Sequence, residues 1–144
     1  MALQFCTFRV GELLLGIEVA WIQEVLRNTP VTPVPKTPAP ICGLINLRGQ
    51  IVTAVDLRTL FGTDPGETQS PIMLIVDSET ELHRLVVDSV GDVVEVEEND
   101  YEEPPDTLRG RARKLIRGAY KLKDGLLLQL DGEHAIETAT SGSV

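Results

Sequence analysis

Four sets of residues in this chain have types that chemistry can use: the two histidines, the paired carboxylates, the two cysteines and one arginine set on a glycine turn. Metal binding or general base catalysis would need His83 or His134 to have a ligand-spaced or triad partner, and neither has one. No GxGxxG, GxxxxGK[ST], GxSxG or HExxH stretch occurs. Glu97-Glu98 and Glu102-Glu103 lie in a polar run that ends in Pro104-Pro105, where solvated carboxylates keep ordinary pKa values. Cys6 and Cys42 form no CxxC cluster, so they read as free, buried thiols in a reducing compartment. No catalytic residue, metal ligand or cofactor is therefore expected, and the chain does not read as an enzyme.

The arginine is different. The stretch from Ile41 to Leu57 is a hairpin with two apolar arms, turned at Arg48-Gly49. Gly49 supplies the positive φ that a tight hairpin turn needs. Arg48 is thereby presented at a strand end, with five donors in a rigid fork that suits a carboxylate.

The elements that must position this hairpin are short and mostly extended. Gln4–Val10 alternates with period two, Gly11-Glu12 reads as a turn, and Leu13–Val19 follows as a second strand. Further strands are expected over Glu24–Arg27, Gly43–Leu47, Ile51–Leu57, Ile72–Val76, Leu82–Val87, Val93–Val96, Leu115–Leu122 and Leu126–Leu130. So many β-rich runs between turn signals favour a barrel or sandwich. Helices look few and short: one turn over Val19–Ile22 and another over Leu57–Phe61, stopped by Gly62. The five prolines between Asn28 and Pro40 predict an extended connector or edge strand. Glu97–Pro105 is expected to be a solvated loop, and residues 138–144 a disordered tail.

A repeat organises these strands. Gly43 leads through a strand, a basic-Gly turn and a second strand to Asp56; Gly118 leads the same way to Asp131 over the same spacing. Upstream, Ile22-Gln23-Glu24-Val25 matches Val90-Gly91-Asp92-Val93. Two small five-stranded barrels packed together follow, each too small to be robust alone. The first spans about 11–66 and the second about 67–137, with strand 4–10 a candidate addition to the second; together they make one domain over 1–137.

Composition limits the partners. A net charge of −9 over 144 residues argues against nucleic acid and against an anionic membrane surface. The N-terminus has no basic n-region with an apolar stretch behind it, and no apolar run is long enough to span a bilayer. A cytoplasmic protein without membrane insertion is expected.

The residues of the hairpin and its neighbours resemble the CheW family of chemotaxis coupling proteins. The resemblance runs through Phe8, Leu15-Gly16-Ile17 and Val19 to Leu26, then Val31-Thr32-Pro33-Val34-Pro35 and Pro40 through Gly49. It continues in Val55-Asp56-Leu57-Arg58, Val86-Val87-Asp88-Ser89-Val90 and Leu126 through Asp131. Its most specific element is G-x-x-N-L-R-G, placed after an E-V element and followed by V-D-L. The resemblance implies an all-β fold of two packed, five-stranded, SH3-like barrels. It implies a non-catalytic adaptor that bridges chemoreceptors (methyl-accepting chemotaxis proteins) to the regulatory domain of a CheA-like histidine kinase. It implies recruitment to membrane-attached receptor arrays, through a groove between the subdomains that takes the tip of the receptor's cytoplasmic helical hairpin. Carried over by motif, the receptor-binding candidates are Ile22, Glu24, Gly43, Asn46, Leu47, Arg48, Val86 and Val87, with Ile22, Leu47 and Val86 on the groove floor. The kinase surface is left unassigned.

Within that frame Arg48 is expected to pair with Glu24; a buried pair would cost roughly 3–5 kcal/mol to break. Trp21 reads as a core anchor, or as a binding hot spot if exposed. The stretch after Asp131 is short for a terminal helix, and Arg109–Lys114 is a basic loop or a patch for an acidic partner. Three other functions stay open: coupling in a related motility pathway, an SH3-like peptide module disfavoured by 4% aromatics, and a small histidine enzyme.

Overall fold

A computed structural model describes residues 2–27, 32, 35, 41–62, 72–77, 82–106, 108, 110–123 and 125–141. Strand β1 (Ala2–Val10) pairs antiparallel with β2 (Leu13–Glu18), and a 3-10 turn over Val19–Trp21 leads to β3 (Ile22–Arg27). β4 (Ile41–Leu47) and β5 (Gln50–Asp56) form the Arg48-Gly49 hairpin, and α1 (Leu57–Leu60) follows. β6 (Ile72–Asp77) pairs with β7 (Leu82–Val87), and the chain passes into β8 (Ser89–Glu97). A 3-10 turn over Glu98–Asp100 precedes β9 (Tyr101–Glu102). Then come α2 (Arg111–Leu115), β10 (Ile116–Leu122), β11 (Gly125–Leu130) and α3 (Gly132–Ser141).

The strands make two sheets, in the orders β3-β6-β7-β5-β4 and β8-β1-β2-β11-β10-β9. These are the same sheet built twice, apart from the two-residue β9. Each has one parallel pair, β5 with β7 and β11 with β2. Each has a bulge one step before the repeat glycine, at Ile41/Gly43 and at Ile116/Gly118. Asp56 and Asp131 play the same part: the Arg58 amide donates to Asp56 Oδ1 at 2.9 Å and the His134 amide to Asp131 Oδ1 at 3.1 Å, so each caps the helix that follows.

The boundary expected near residue 66 is not where the sheets divide. Residues 22–87 supply the first sheet, whereas the second takes 2–18 together with 89–130. The chain runs out of strands after β11, so the N-terminal β1–β2 hairpin completes the second unit. β1 was a candidate for that unit; β2, placed by sequence in the first, belongs there too.

Three local expectations also change. The tail expected from residue 138 is helical through Ser141, because Ala135, Ile136 and Ala139 form an apolar stripe that is buried against the core. The loop expected over Glu97–Pro105 contains β9, paired with β10. The basic stretch forms α2, whose exposed Arg113 donates to the Pro104 and Pro105 carbonyls at 3.4 and 3.3 Å. Of the proline-rich segment, Thr32 bridges Leu44 through paired backbone hydrogen bonds of 2.8 Å; most of the rest lies outside the described residues.

The largest core lies between the sheets. Phe8, Leu15 and Ile17 from one meet Leu74, Leu85 and Val87 from the other, with α1 and α3 covering the ends. Two smaller clusters fill the units themselves: Ile45, Ala54, Met73 and Val86 in the first, Phe5, Val96, Tyr120 and Leu127 in the second. Arg58 ties the two units together. Its Nε lies 3.0 Å from Asp56 Oδ1, its Nη2 3.1 Å from Asp56 Oδ2 and its Nη1 3.6 Å from Asp88 Oδ1. Asp88 Oδ2 in turn accepts the Gly11 amide at 2.7 Å. The V-D-L-R and V-V-D-S elements are thus structural.

Candidate functional site at the seam of the five-stranded unit

β3 and β4 are the two edges of the five-stranded sheet, and no ladder joins them. They are joined by side chains instead. Arg48 Nη2 donates to Glu24 Oε1 at 3.0 Å and to Oε2 at 2.9 Å, so one nitrogen bridges both carboxylate oxygens. The expected pair forms, but at the surface: the Arg48 side chain is 71% exposed and that of Glu24 29%. Screening by water holds such a pair to roughly 0.2–1 kcal/mol, well below the cost assigned to a buried one.

The turn that presents Arg48 is tighter than expected from Gly49 alone. Arg48 itself has φ 50° and Gly49 φ 86°, between the paired residues Leu47 and Gln50. Positive φ at both central positions is the type I′ turn that matches strand twist. A side chain in that region is strained, by on the order of 1–2 kcal/mol. Asn46 offsets part of this cost, because its Oδ1 accepts the Gly49 amide at 3.0 Å.

The other motif residues divide by burial. Ile22 opens β3, half-buried against the main core. Gly43 is buried at the β4 bulge, Asn46 is exposed at the turn, and Leu47 ends β4 opposite Gln50. Val86 and Val87 are 2% and 0% exposed, because β7 is a central strand with both faces covered. The expectation that Val86 forms a groove floor is corrected on that ground: it packs inside the first unit, with Ile45 and Met73. Trp21 is half-buried on the main core and lines, with Ile17, Val76 and Ile136, a pocket of about 40 Å³.

Sequence inspection missed Arg84. It is fully buried in β7, beside Ala54 and Ile75 in register, and none of its guanidinium nitrogens has a hydrogen-bond partner among the described residues. Burial pulls its pKa below the ordinary arginine range; the Glu24 carboxylate opposes that shift and Arg48 adds to it. Its position in an alternating strand, between His83 and Leu85, was the available signal. Among the described residues no group of His, Cys, Asp and Glu is placed to hold a metal, and no helix is long and apolar enough to cross a membrane.

Known proteins are similar to this chain in sequence and in fold. The family description "CheW-like domain" matches residues 4–140. The chemotaxis protein CheW of Rhizobium meliloti is 29% identical over 131 residues, which cover 89% of this chain and 84% of that one. That of Thermotoga maritima is 28% identical over 134 residues, covering 93% and 87%. The crystal structure of the scaffolding protein TtCheW from Thermoanaerobacter tengcongensis superposes with a TM-score of 0.82 at 30% identity, over 91% of this chain and 90% of that one.

Proposed function

This chain belongs to the CheW-like domain family, and on that premise we propose the part it plays. It is a non-catalytic adaptor of chemotaxis signal transduction that couples chemoreceptors to a CheA-like histidine kinase. The kinase contributes its regulatory domain, and the receptor the cytoplasmic tip of its helical hairpin. The adaptor works in the cytoplasm and joins receptor arrays at the membrane. The observation that carries the receptor side is the exposed Arg48 guanidinium, held on a strained turn and paired to Glu24 across an open sheet seam. Strained backbone residues cluster at binding and active sites. Ile22, Glu24, Asn46, Leu47 and Arg48 form the contact face, while the buried Gly43, Val86 and Val87 act from within, by shaping the β4 bulge and holding β7 in place.

Calorimetric titration tests both arms. The protein should bind the kinase regulatory domain one to one, and a receptor-hairpin fragment independently. Arg48→Ala should weaken the receptor arm by about tenfold or more and leave the kinase arm unchanged. Failure to bind any CheA-like regulatory domain would remove the coupling function. Equal receptor affinity in the variant would remove the seam as the contact face.

A further inference from the structure

The five-stranded unit holds a charge that the contact face does not use. Arg84 is fully buried and unpartnered among the described residues, yet an arginine keeps its proton in a protein. The fold does not demand a side chain there. Ala54 pairs with Arg84 as Gln129 pairs with Gly16, and the repeat lays Ala54 on Gln129. Arg84 therefore stands where the second unit has glycine. In that unit Leu127 fills the space, 3.0 Å from where a Cβ on Gly16 would lie.

Glu24, Ile75 and Arg84 pair in register on three neighbouring strands, so their side chains share one face of the sheet. That face is the interior one: Leu26, two residues after Glu24, and Val86, two after Arg84, both pack in the inner cluster. Two strand spacings are about 10 Å, a gap that a glutamate and an arginine side chain span together. Glu24 is drawn instead to the rim by Arg48. The carboxylate thus has two cations within reach and is bonded to one.

We propose that Arg84 is a second seat for the Glu24 carboxylate: Arg48 holds it in the free protein, and Arg84 receives it when an acidic group of a bound partner takes Arg48. The partner's carboxylate then replaces Glu24 on Arg48, while the buried cation gains the counter-ion it lacked. Ion pairs are exchanged without leaving a charge unmatched, and the strained turn is free to follow the partner. The proposal rests on the seam being a partner-binding face, but the exchange itself is testable in the protein alone.

Thermal midpoints of the full chain are measured for the parent, Arg84→Met, Arg48→Ala and the double variant. Arg84→Met should raise the midpoint in the parent, where it removes an unpaired buried cation. The same change should lower the midpoint in the Arg48→Ala background, where Glu24 has moved inward. An effect of one sign in both backgrounds overturns the exchange. If a Met variant does not fold, nitrogen-15 NMR of the Arg84 Nε–H in the parent and in Arg48→Ala decides. Slowed exchange with solvent on removal of Arg48 supports the second seat, and an unchanged signal overturns it. Titration of the folded Arg84→Met protein with the receptor-hairpin fragment tests the trigger: affinity should fall on the order of tenfold, and unchanged affinity overturns it. A sign reversal in a protein that binds no receptor fragment would sink the adaptor function and leave the exchange standing.

Discussion

In the five-stranded unit the sheet edges meet through Arg48 and Glu24, over a buried arginine; in the six-stranded unit the equivalent closure is made of rings. Phe5 on β1 lies 5.3 Å from Tyr120 on β10, and Tyr101 on β9 stands edge-on to Tyr120 at 5.6 Å. Strands second and fifth in the sheet order touch only because that sheet curls round on itself. The repeat places Lys123 where Arg48 stands and Asp92 where Glu24 stands, yet among the described residues no ion pair joins these two. Thr7 Oγ1 instead donates to the Asp92 carbonyl at 2.6 Å. Rings hold by dispersion and burial, which salt does not weaken; an exposed ion pair is screened and cheap to open. One unit is therefore closed by buried rings and the other by an ion pair that is cheap to open.

Breaking the aromatic closure should have the largest effect. Phe5→Ala should lower unfolding free energy by roughly 3–5 kcal/mol in urea titration, with the effect independent of salt. A loss below about 1 kcal/mol would show that the second unit does not depend on its rings. Asp56→Ala removes the forked partner of the nearly buried Arg58 at the junction of the units and should cost about 3 kcal/mol. If both units share one core, a single unfolding transition should survive this change; two transitions would show them to be independent. Gly118→Ala sharpens the contrast, because its Cβ would lie 2.3 Å from Tyr101 Cε2. A cost of roughly 1–3 kcal/mol is expected, whereas an unchanged midpoint would show that β9 shifts freely.

Opening the ionic seam should matter least to stability. Arg48→Ala should change unfolding free energy by no more than about 1 kcal/mol, since the exposed pair is screened by water and alanine leaves the left-handed turn as strained as before. A loss above 3 kcal/mol would make the seam structural after all. The smallest effect is on pH dependence in the second unit. Burial pushes the Cys6 thiol and the Tyr120 hydroxyl up, so both stay protonated in the fold after they ionise in the unfolded chain. Their full contribution is present below the unfolded value of the thiol, roughly 8.5, and is lost as pH rises through the folded values. Cys6→Ala should flatten the first part of that decline in alkaline thermal scans, and an unchanged slope would place its origin elsewhere.

Much of this molecule was legible along the chain. The strands stood out as period-two runs, the Gly43–Asp56 and Gly118–Asp131 spacing marked the two units, and Arg48-Gly49 marked the turn. The Glu24–Arg48 pair was legible through the family motif and forms as expected. The end of the chain was misjudged because its threonines and serines are weak helix formers. Only the core beneath them shows that Ala135, Ile136 and Ala139 have something to cover.

Sequence alone determined what is local: where strands run, where they turn, and which aspartates stop them. Those signals act through neighbours a few residues apart, so short windows carry them. Tertiary structure decided which strands share a sheet, that β1 and β2 complete the unit made by the far end of the chain, and that Val86 and Val87 lie inside. It also decided that Glu24 lies in one row with Arg84, 60 residues away. Backbone pairing across such separations depends on the whole set of strands competing for partners, and a pattern read along the chain does not contain that competition.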